Sequence, residues 1–259
     1  MGTTVVTVQK TVPNLFILAG PNGAGKSTSA PEVLTGARRV DEFVNADVIG
    51  KEEGLSEIEA GRRTLARLEA LATARRNIAF ETTLSSRTLE PRIKAMQATA
   101  YRCHLTFLWL PSADMAVARV ARRVAAGGHS IPEDVIRRRY ERGLENLFSN
   151  YLSIANTWRI IDNTASPRLI AWRDLGAELQ IADAEIWTKL VIRYMKPRAE
   201  EPAAHTAPTE EVSWTSQDIL DAVNRAVTAA LRRHKARGES IVIWRDGKIV
   251  TLTADEIDV

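Results

Sequence analysis

The sequence has very little cysteine: Cys103 is the only one in 259 residues. An internal disulfide is therefore impossible, which favours a reducing compartment. Because Cys103 lies in an apolar stretch, we expect a buried structural thiol rather than a reactive one. The four histidines, at positions 104, 129, 205 and 234, are scattered and lack the spacing of metal ligands. A structural zinc site is therefore not expected.

Long apolar runs are also missing. None approaches the roughly 18–20 residues that a membrane-spanning helix needs. The N-terminal segment MGTTVVTVQKTVP lacks a basic region followed by an apolar one, so we expect no signal peptide. These absences predict a cytoplasmic protein without a membrane partner. The net charge of +3 suits an anionic substrate but is too small to indicate nucleic-acid binding, which we consider an improbable function.

The part of the chain before position 196 alternates short apolar runs with longer helical patterns, which is typical of βαβ units and a parallel sheet. Strands are predicted at 15–19, 42–45, 77–82, 103–110 and 159–162, and a short hairpin at 169–181. Helices are predicted at 55–76, 114–125, 132–148 and 183–194. The pattern indicates a three-layer α/β sandwich around a five-stranded parallel core sheet.

The C-terminal part changes character. Residues 196–213 are rich in Pro, Glu and Ala without an apolar period, which predicts a linker between a domain at 13–195 and a small unit at 214–259. That unit is predicted to be a helix from Thr215 or Ser216, followed by a hairpin that turns at Asp246-Gly247.

Such a small unit buries too little apolar surface to fold alone. Its apolar side chains must therefore pack against something outside it: Trp214, Ile219, Val223, Ile241, Ile243 and Trp244. Docking on the main domain, an external protein partner and a homodimer are all open, and we favour a homodimer through this unit.

The most specific motif follows the first predicted strand. It reads Gly20-Pro21-Asn22-Gly23-Ala24-Gly25-Lys26-Ser27-Thr28 and matches the phosphate-binding pattern G-x-x-x-x-G-K-[ST]. Glycines let backbone N–H groups surround phosphates, and the following helix adds a partial positive charge. Lys26 is expected to reach the β- and γ-phosphates of ATP, and Ser27 to ligate Mg²⁺.

The same loop spelling occurs in ABC transporter ATPases, so that class has to be tested. Such ATPases carry an LSGGQ-like signature and four apolar residues ending in Asp-Glu, and neither is present. Ile160-Ile161-Asp162 is followed by Asn163, without the glutamate that orients water. A kinase acting on a small molecule fits better.

A kinase needs a base near the end of the second strand, where it faces the γ-phosphate. Asp47, in Val44-Asn45-Ala46-Asp47, holds this position, although it could instead cap the next helix. A second polar element follows the third strand, at Glu81 and Thr82, although Glu81 could instead be a buried partner of an arginine.

A kinase also needs mobile cations over the transferring phosphoryl group. Seven arginines lie between positions 119 and 142, interrupted by Gly127-Gly128-His129 and Pro132 as expected for a hinged lid. We select Arg122, Arg123 and Arg139 as the lid cations. Any of these arginines could instead belong to a solvated helix face or an RNA-binding stripe.

The segments GPNGAGKST, FVNAD, FETTLS and RRVAAGGHSIPEDVIRRRYERGLENL together resemble the zeta-toxin family of P-loop kinases. The resemblance spans roughly residues 13–195 and is greatest to the chromosomal branch, whose members are often described as ABC-type ATPases. It implies phosphorylation of UDP-N-acetylglucosamine or a related nucleotide sugar with Mg·ATP. It also implies that the protein is a toxin with an antitoxin partner.

Carried over by motif, Asp47 resembles the base that takes the acceptor's proton, and Glu81 a substrate-binding carboxylate. Thr82 and His129 are the further residues expected at the substrate. His129 stands where the toxins have a lid arginine, which is a departure from the family pattern. The alternatives are a nucleotide-dependent RNA-binding or RNA-end-modifying protein, and a nucleotide switch that acts on a protein partner.

Overall fold

The computed structural model describes residues 12–36, 40–195 and 215–259. Positions 1–11 of the N-terminal segment, for which we expect no signal peptide, therefore lie outside the described residues. The predicted linker at 196–213 and Trp214 also lie outside them.

Strand formation follows the apolar runs closely. The first five strands are β1 (Asn14–Ala19), β2 (Glu42–Val44), β3 (Ile78–Thr82), β4 (Arg102–Trp109) and β5 (Thr157–Asp162). They are followed by β6 (Arg168–Arg173) and β7 (Gln180–Ile181). Within the described residues these form one sheet in the order β2-β3-β1-β4-β5-β6-β7. The first five strands pair in parallel, and β6 and β7 continue the sheet antiparallel.

The expectation of five strands therefore needs a correction. The hairpin predicted at 169–181 is β6 and β7, and it does not stand apart from the sheet. Strand β6 pairs along β5, from Trp158 opposite Arg173 to Asp162 opposite Arg168, so the sheet has seven strands in the described part of the chain.

Helices connect the strands. They are α1 (Lys26–Gly36), α2 (Ala46–Glu53), α3 (Glu57–Thr73), α4 (Leu89–Ala98), α5 (Ala113–Ala125), α6 (Glu133–Asn146), α7 (Leu152–Ile154), α8 (Ala184–Tyr194) and α9 (Ser216–Ala236). A π-helical turn, Leu147–Tyr151, joins α6 to α7. Two further strands, β8 (Ile241–Arg245) and β9 (Lys248–Leu252), form the C-terminal hairpin, and a 3₁₀ turn follows at Ala254–Glu256. No described helix combines the length and the apolar character that crossing a membrane requires.

Two neighbouring residues of β5 show how the layers are arranged. Trp158 stacks on Trp187 of α8, with ring centroids 5.9 Å apart. The side chain of Arg159 points to the other face, because successive residues of a strand alternate. There it pairs with Asp174, which also accepts a hydrogen bond from Ser216 at the start of α9. Helices α8 and α9 therefore cover opposite faces of the sheet.

Cys103 and its partly buried neighbour His104, both in β4, are inert. Cys103 is buried, and burial raises the pKa of its thiol to about 12, as expected for a structural residue. His104 lies between Asn14 and Thr157, with hydrogen bonds of 2.9 Å to each. Burial, reinforced by the nearby Arg159 and Arg102, lowers the pKa of His104 to about 3 and keeps it neutral.

Helix α9 belongs to the same core. It begins with a capping box in which Thr215 and Asp218 bond each other's backbone, and it packs along α1. Ile219 and Val223 are buried within the main hydrophobic cluster. Two of the six side chains behind the predicted homodimer thus pack within the same chain, and the homodimer itself stays a prediction.

This packing predicts a stability cost. Ile219→Ala should lower the free energy of unfolding by about 2–5 kcal/mol, because it removes a buried side chain and leaves a cavity. Ile192 of α8 is 79% exposed, so Ile192→Ala should change stability by no more than about 0.5 kcal/mol. Urea unfolding of both variants measures the difference. Equal small losses would show that α9 is not part of the core.

Candidate active site

The phosphate-binding loop leaves β1 through a turn that only glycine fits. Gly20 has φ +146°, and a Cβ at this position would lie 2.4 Å from the carbonyl oxygen of Leu108. Gly23 and Gly25 also have positive φ, +76° and +85°. Such residues allow consecutive backbone N–H groups to line a concave anion site, and α1 begins at Lys26, within the motif.

Lys26 lies at the centre of the charged groups around this loop. Its Nζ donates to the carbonyl oxygens of Gly20, at 2.9 Å, and Pro21, at 3.0 Å. Burial lowers the pKa of Lys26, while the carboxylates of Glu81 and Asp47 raise it and the guanidinium groups of Arg123 and Arg139 lower it further. The structure therefore brings four of the charged residues selected from the sequence within electrostatic reach of one ammonium group: Asp47, Glu81, Arg123 and Arg139.

Glu81 is held against the loop. Strands β2 and β3 run parallel, so their carboxyl ends meet at one edge of the sheet. Ser27 Oγ donates to Glu81 Oε1 at 2.9 Å, and Asn45 Nδ2 donates to the same oxygen at 2.6 Å. The partners of Glu81 are thus a hydroxyl and an amide rather than the arginine considered as an alternative. This arrangement places Glu81 beside the hydroxyl expected to ligate Mg²⁺.

Asp47 lies in the first turn of α2, but it does not cap that helix. Asn45 is the cap: its Oδ1 accepts from the backbone N of Asp47 at 2.8 Å and of Val48 at 3.3 Å. The Asp47 side chain is exposed at the carboxyl edge of the sheet. The capping alternative is therefore wrong, and the carboxylate is available for chemistry.

The donor set fits Mg·ATP. The described residues contain no cluster of three His, Cys, Asp or Glu side chains that could hold a metal alone. Mg²⁺ normally binds through one or two carboxylates together with substrate phosphates and water. Ser27 and Glu81 supply hydroxyl and carboxylate oxygens of this kind, and Lys26 with the glycine-rich loop supplies the groups that hold phosphates.

The lid arginines separate into two groups. Arg123 donates to the carbonyl oxygen of His129 at 2.8 Å, in the connection between α5 and α6, and its charge reaches Lys26. Arg122, which we selected with it, instead donates to the hydroxyl of Ser240 in the C-terminal part of the chain. Consecutive helical residues point about 100° apart, so both could not face the loop. Arg122 is therefore a poor candidate for a lid cation.

Two other arginines of this run form surface ion pairs. Arg137 pairs with Asp114 at 2.6 Å and with Glu133 at 2.8 Å, and Arg138 pairs with Asp134 at 3.5 Å. For these two residues the solvated helix face, one of the alternatives, is the correct interpretation.

The substrate-binding roles of Glu81, Thr82 and His129 stay predictions, although the contact of Glu81 with Ser27 favours a place beside Mg²⁺ for this carboxylate. The Thr82 hydroxyl accepts from the backbone N of Leu84 at 3.1 Å, and its carbonyl oxygen accepts from the backbone N of Gly20 at 3.2 Å. His129 is exposed between α5 and α6.

Sequence reasoning missed two polar residues that touch the loop. Asn163, after β5, donates through Nδ2 to the carbonyl oxygen of Ala24 at 2.7 Å. Arg119 of α5 donates through Nη1 to the carbonyl oxygen of Gly23 at 3.4 Å. The position of Asn163 directly after an apolar strand was a usable signal, because the carboxyl ends of parallel strands share one edge.

Comparisons with known proteins agree on the fold. No family model matches the chain. A curated relative from Haemophilus influenzae, described as an uncharacterized protein, is 27% identical over 127 residues, which cover 47% of this chain and 88% of that protein. The solved AvrRxo1-ORF1:-ORF2 structure with ATP is similar with a TM-score of 0.52 and 15% identity, over 84% of this chain and 76% of that chain.

Two further solved structures are similar at lower scores. The PezAT chromosomal toxin-antitoxin system of Streptococcus pneumoniae has a TM-score of 0.47 and 14% identity, over 87% of this chain and 91% of that chain. The Pnkp1/Rnl/Hen1 RNA repair complex has a TM-score of 0.44 and 23% identity, over 52% of this chain. The match spans less than half of that protein, 45% of its length. The predicted fold, a P-loop α/β sandwich of the kinase type, is confirmed.

The different surroundings of Arg122 and Arg123 predict different kinetics. Arg123→Ala should lower ATP-dependent turnover by roughly 10²-fold, because it removes a cation that we expect beside the transferring phosphoryl group. Arg122→Ala should leave turnover within about threefold, because a partly exposed contact of this kind contributes little. Steady-state kinetics of the two variants provide the comparison, and equal losses would contradict the assignment.

Proposed function

We propose that this protein is a kinase that transfers the γ-phosphoryl group of ATP to a hydroxyl of a small molecule. The observation that carries the proposal is the hydrogen bond from Ser27 of the loop to Glu81, together with the charges that act on Lys26, which are those of Asp47, Glu81, Arg123 and Arg139. An exposed carboxylate at the carboxyl edge of the sheet, such as Asp47, can orient an acceptor hydroxyl for phosphoryl transfer, as in kinases.

Each residue then has one task. Lys26 and the loop hold the phosphates, Ser27 and Glu81 would hold Mg²⁺, and the metal, when bound, neutralises phosphate charge. Asp47 accepts the proton of the acceptor hydroxyl while the hydroxyl oxygen of the acceptor forms a bond to γ-phosphorus. The bond from γ-phosphorus to the bridging oxygen breaks, so ADP leaves with that electron pair. Arg123 and Arg139 stabilise the charge on the transferring group.

The first candidate acceptor is UDP-N-acetylglucosamine or a related nucleotide sugar, which rests on the resemblance to the zeta-toxin motifs. ATP as the donor is supported by the similar AvrRxo1 structure, which was solved with ATP. That structure also contains a second protein, ORF2, which supports the proposal of an antitoxin-like partner. We further propose that the catalytic region spans residues 13–195, and that the protein acts in the cytoplasm.

RNA is a weaker candidate acceptor. The RNA hypothesis depended on a basic stripe formed by the lid arginines. Because Arg137 and Arg138 are paired with carboxylates, the charges of these two arginines are compensated within the chain. This weakens the case for a continuous RNA-binding stripe.

The acceptor is identified by supplying γ-labelled ATP with nucleotide sugars in one series and with RNA 5′ ends in another, followed by thin-layer separation. We expect label in a nucleotide sugar. Label in RNA would replace the acceptor, and ATP turnover with neither would favour a nucleotide switch.

Lys26→Ala should abolish ATP-dependent transfer while the protein stays folded, because the ammonium group acts on phosphates. Circular dichroism and the transfer assay test both statements. Wild-type turnover in this variant would contradict the role of the loop.

Asp47→Asn should lower turnover by about 10²–10⁴-fold, the usual effect of losing a general base. Its affinity for ATP should change by no more than about threefold, since the proposed contact is to the acceptor. Asp114→Asn is the matched control, because Asp114 is an exposed carboxylate paired with Arg137. A collapse of ATP binding in Asp47→Asn would reassign Asp47 to the metal.

A further inference from the structure

The C-terminal hairpin lies against α5, the helix that carries the lid cation Arg123. The carbonyl oxygen of Val242 in β8 accepts from Arg119 Nε at 3.2 Å. One turn further along α5, Arg122 donates to Ser240 just before β8. Two residues of α5, three positions apart, therefore bond to the hairpin or to the residue just before it. The function proposed above does not use these contacts.

Helix α5 also touches the phosphate-binding loop directly. A Cβ placed on Gly23 would lie 3.0 Å from the carbonyl oxygen of Ala116 and 3.0 Å from the Cβ of Arg119. Such distances are tighter than ordinary side-chain contacts, so a side chain at position 23 would press on α5. The loop and α5 are thus in close contact.

Arg119 connects three segments at this contact. Its Nη1 donates to the carbonyl oxygens of Gly23, at 3.4 Å, and of Asn163, at 2.9 Å. Its Nη2 donates to the carbonyl oxygen of Thr164 at 2.7 Å, and its Nε donates to that of Val242. In the described part of the chain, one guanidinium group therefore bonds the loop, the segment after β5 and the hairpin.

Only arginine suits this position. A guanidinium presents five N–H groups in a rigid planar fork, whereas a lysine ammonium is a single charged centre on a flexible stem. Burial lowers the pKa of Arg119 to about 10, so the group keeps its charge at neutral pH. Hydrogen bonds from a charged donor are stronger than neutral ones, and here they hold backbone atoms in place.

The connection lies on the nucleotide side of the site. In the sheet order, β2 and β3 lie on one side of β1 and carry Asp47 and Glu81 at their ends. Strands β4 and β5 lie on the other side, and the segments that contain Arg119 and Asn163 follow them. A disturbance at Arg119 is therefore expected to affect the nucleotide rather than the acceptor.

We propose that Arg119 is a positioning residue of the nucleotide site, and that the C-terminal hairpin, through Val242, is a structural support of the phosphate-binding loop. The proposal rests on the proposed function only in that the loop binds a nucleotide. It assigns to the C-terminal part of the chain a role in ATP affinity, although that part contributes no side chain to the reaction.

The test compares two arginine-to-lysine variants. Arg173 is the matched control, because it also donates to two backbone carbonyl oxygens, of Leu152 at 3.3 Å and Ala155 at 3.1 Å, and burial also lowers its pKa. Arg119→Lys should raise the Kd for Mg·ADP by about tenfold or more, whereas Arg173→Lys should change the Kd by no more than about twofold. Calorimetry gives the affinities, and urea unfolding gives the stability of both variants.

A second measurement tests the hairpin itself. On addition of Mg·ADP to the wild-type protein, backbone amides of β8 should gain protection from hydrogen exchange together with those of the loop. In Arg119→Lys this gain in protection at β8 should be lost. Without nucleotide, the protection of the β8 amides should be the same in Arg119→Lys as in the wild-type protein. This readout separates a connection to the loop from a general loss of stability.

Three results would overturn the proposal. They are an unchanged nucleotide affinity in Arg119→Lys, an equal loss of affinity in Arg173→Lys, and the absence of any gain in β8 protection when nucleotide is added to the wild-type protein. None of these measurements needs an acceptor. If no acceptor is phosphorylated but the affinities differ as expected, the proposed reaction fails and the role of Arg119 stands. If the wild-type protein binds no nucleotide, both fail.

Discussion

The turn at Gly20 is the constraint on which the rest of the site depends. Its backbone N bonds to the carbonyl oxygen of Thr82 at the end of β3, and the position of its missing Cβ is filled by the carbonyl oxygen of Leu108 in β4. The loop is thereby fixed to three adjacent strands at once. Because α1 starts within the loop, Lys26 and Ser27 inherit their positions from this turn, and the residues after β2 and β3 meet them there.

Much of this arrangement could be predicted from local sequence. The phosphate-binding motif is specific, since its glycines, lysine and serine have separate physical tasks at fixed spacing. Asp47 and Glu81 were found because parallel strands present their carboxyl ends at one edge. The five parallel strands and the longer helices follow from apolar periodicity, which reports burial directly. Helices α2 and α4 were missed: α2 has no buried residue, and α4 carries Pro91 in its first turn.

Other features depend on which distant segments meet, and periodicity does not report this. The contact of Arg122 with Ser240 decides between two neighbouring arginines that look alike in the sequence. The docking of α9 on α1 is similar: an amphipathic face indicates that a helix needs a partner, but not which one. Asn45 stood inside a motif that we used, yet its double role as the cap of α2 and a donor to Glu81 became visible only in three dimensions.

The place of α9 in the sandwich has a consequence for how the protein is made. Helix α1, which starts within the nucleotide loop, is synthesised early. Helix α9, which packs along α1, is synthesised only after all seven strands of the main sheet. Contacts between such distant segments form late, because the intervening chain must first be ordered. During translation, which proceeds at about 5–20 residues per second, a growing chain holds every catalytic side chain proposed here before it can complete its core. The order of synthesis therefore separates the appearance of these side chains from the completion of the core around them, so a nascent chain that has not yet reached α9 holds them without the helix that packs along α1.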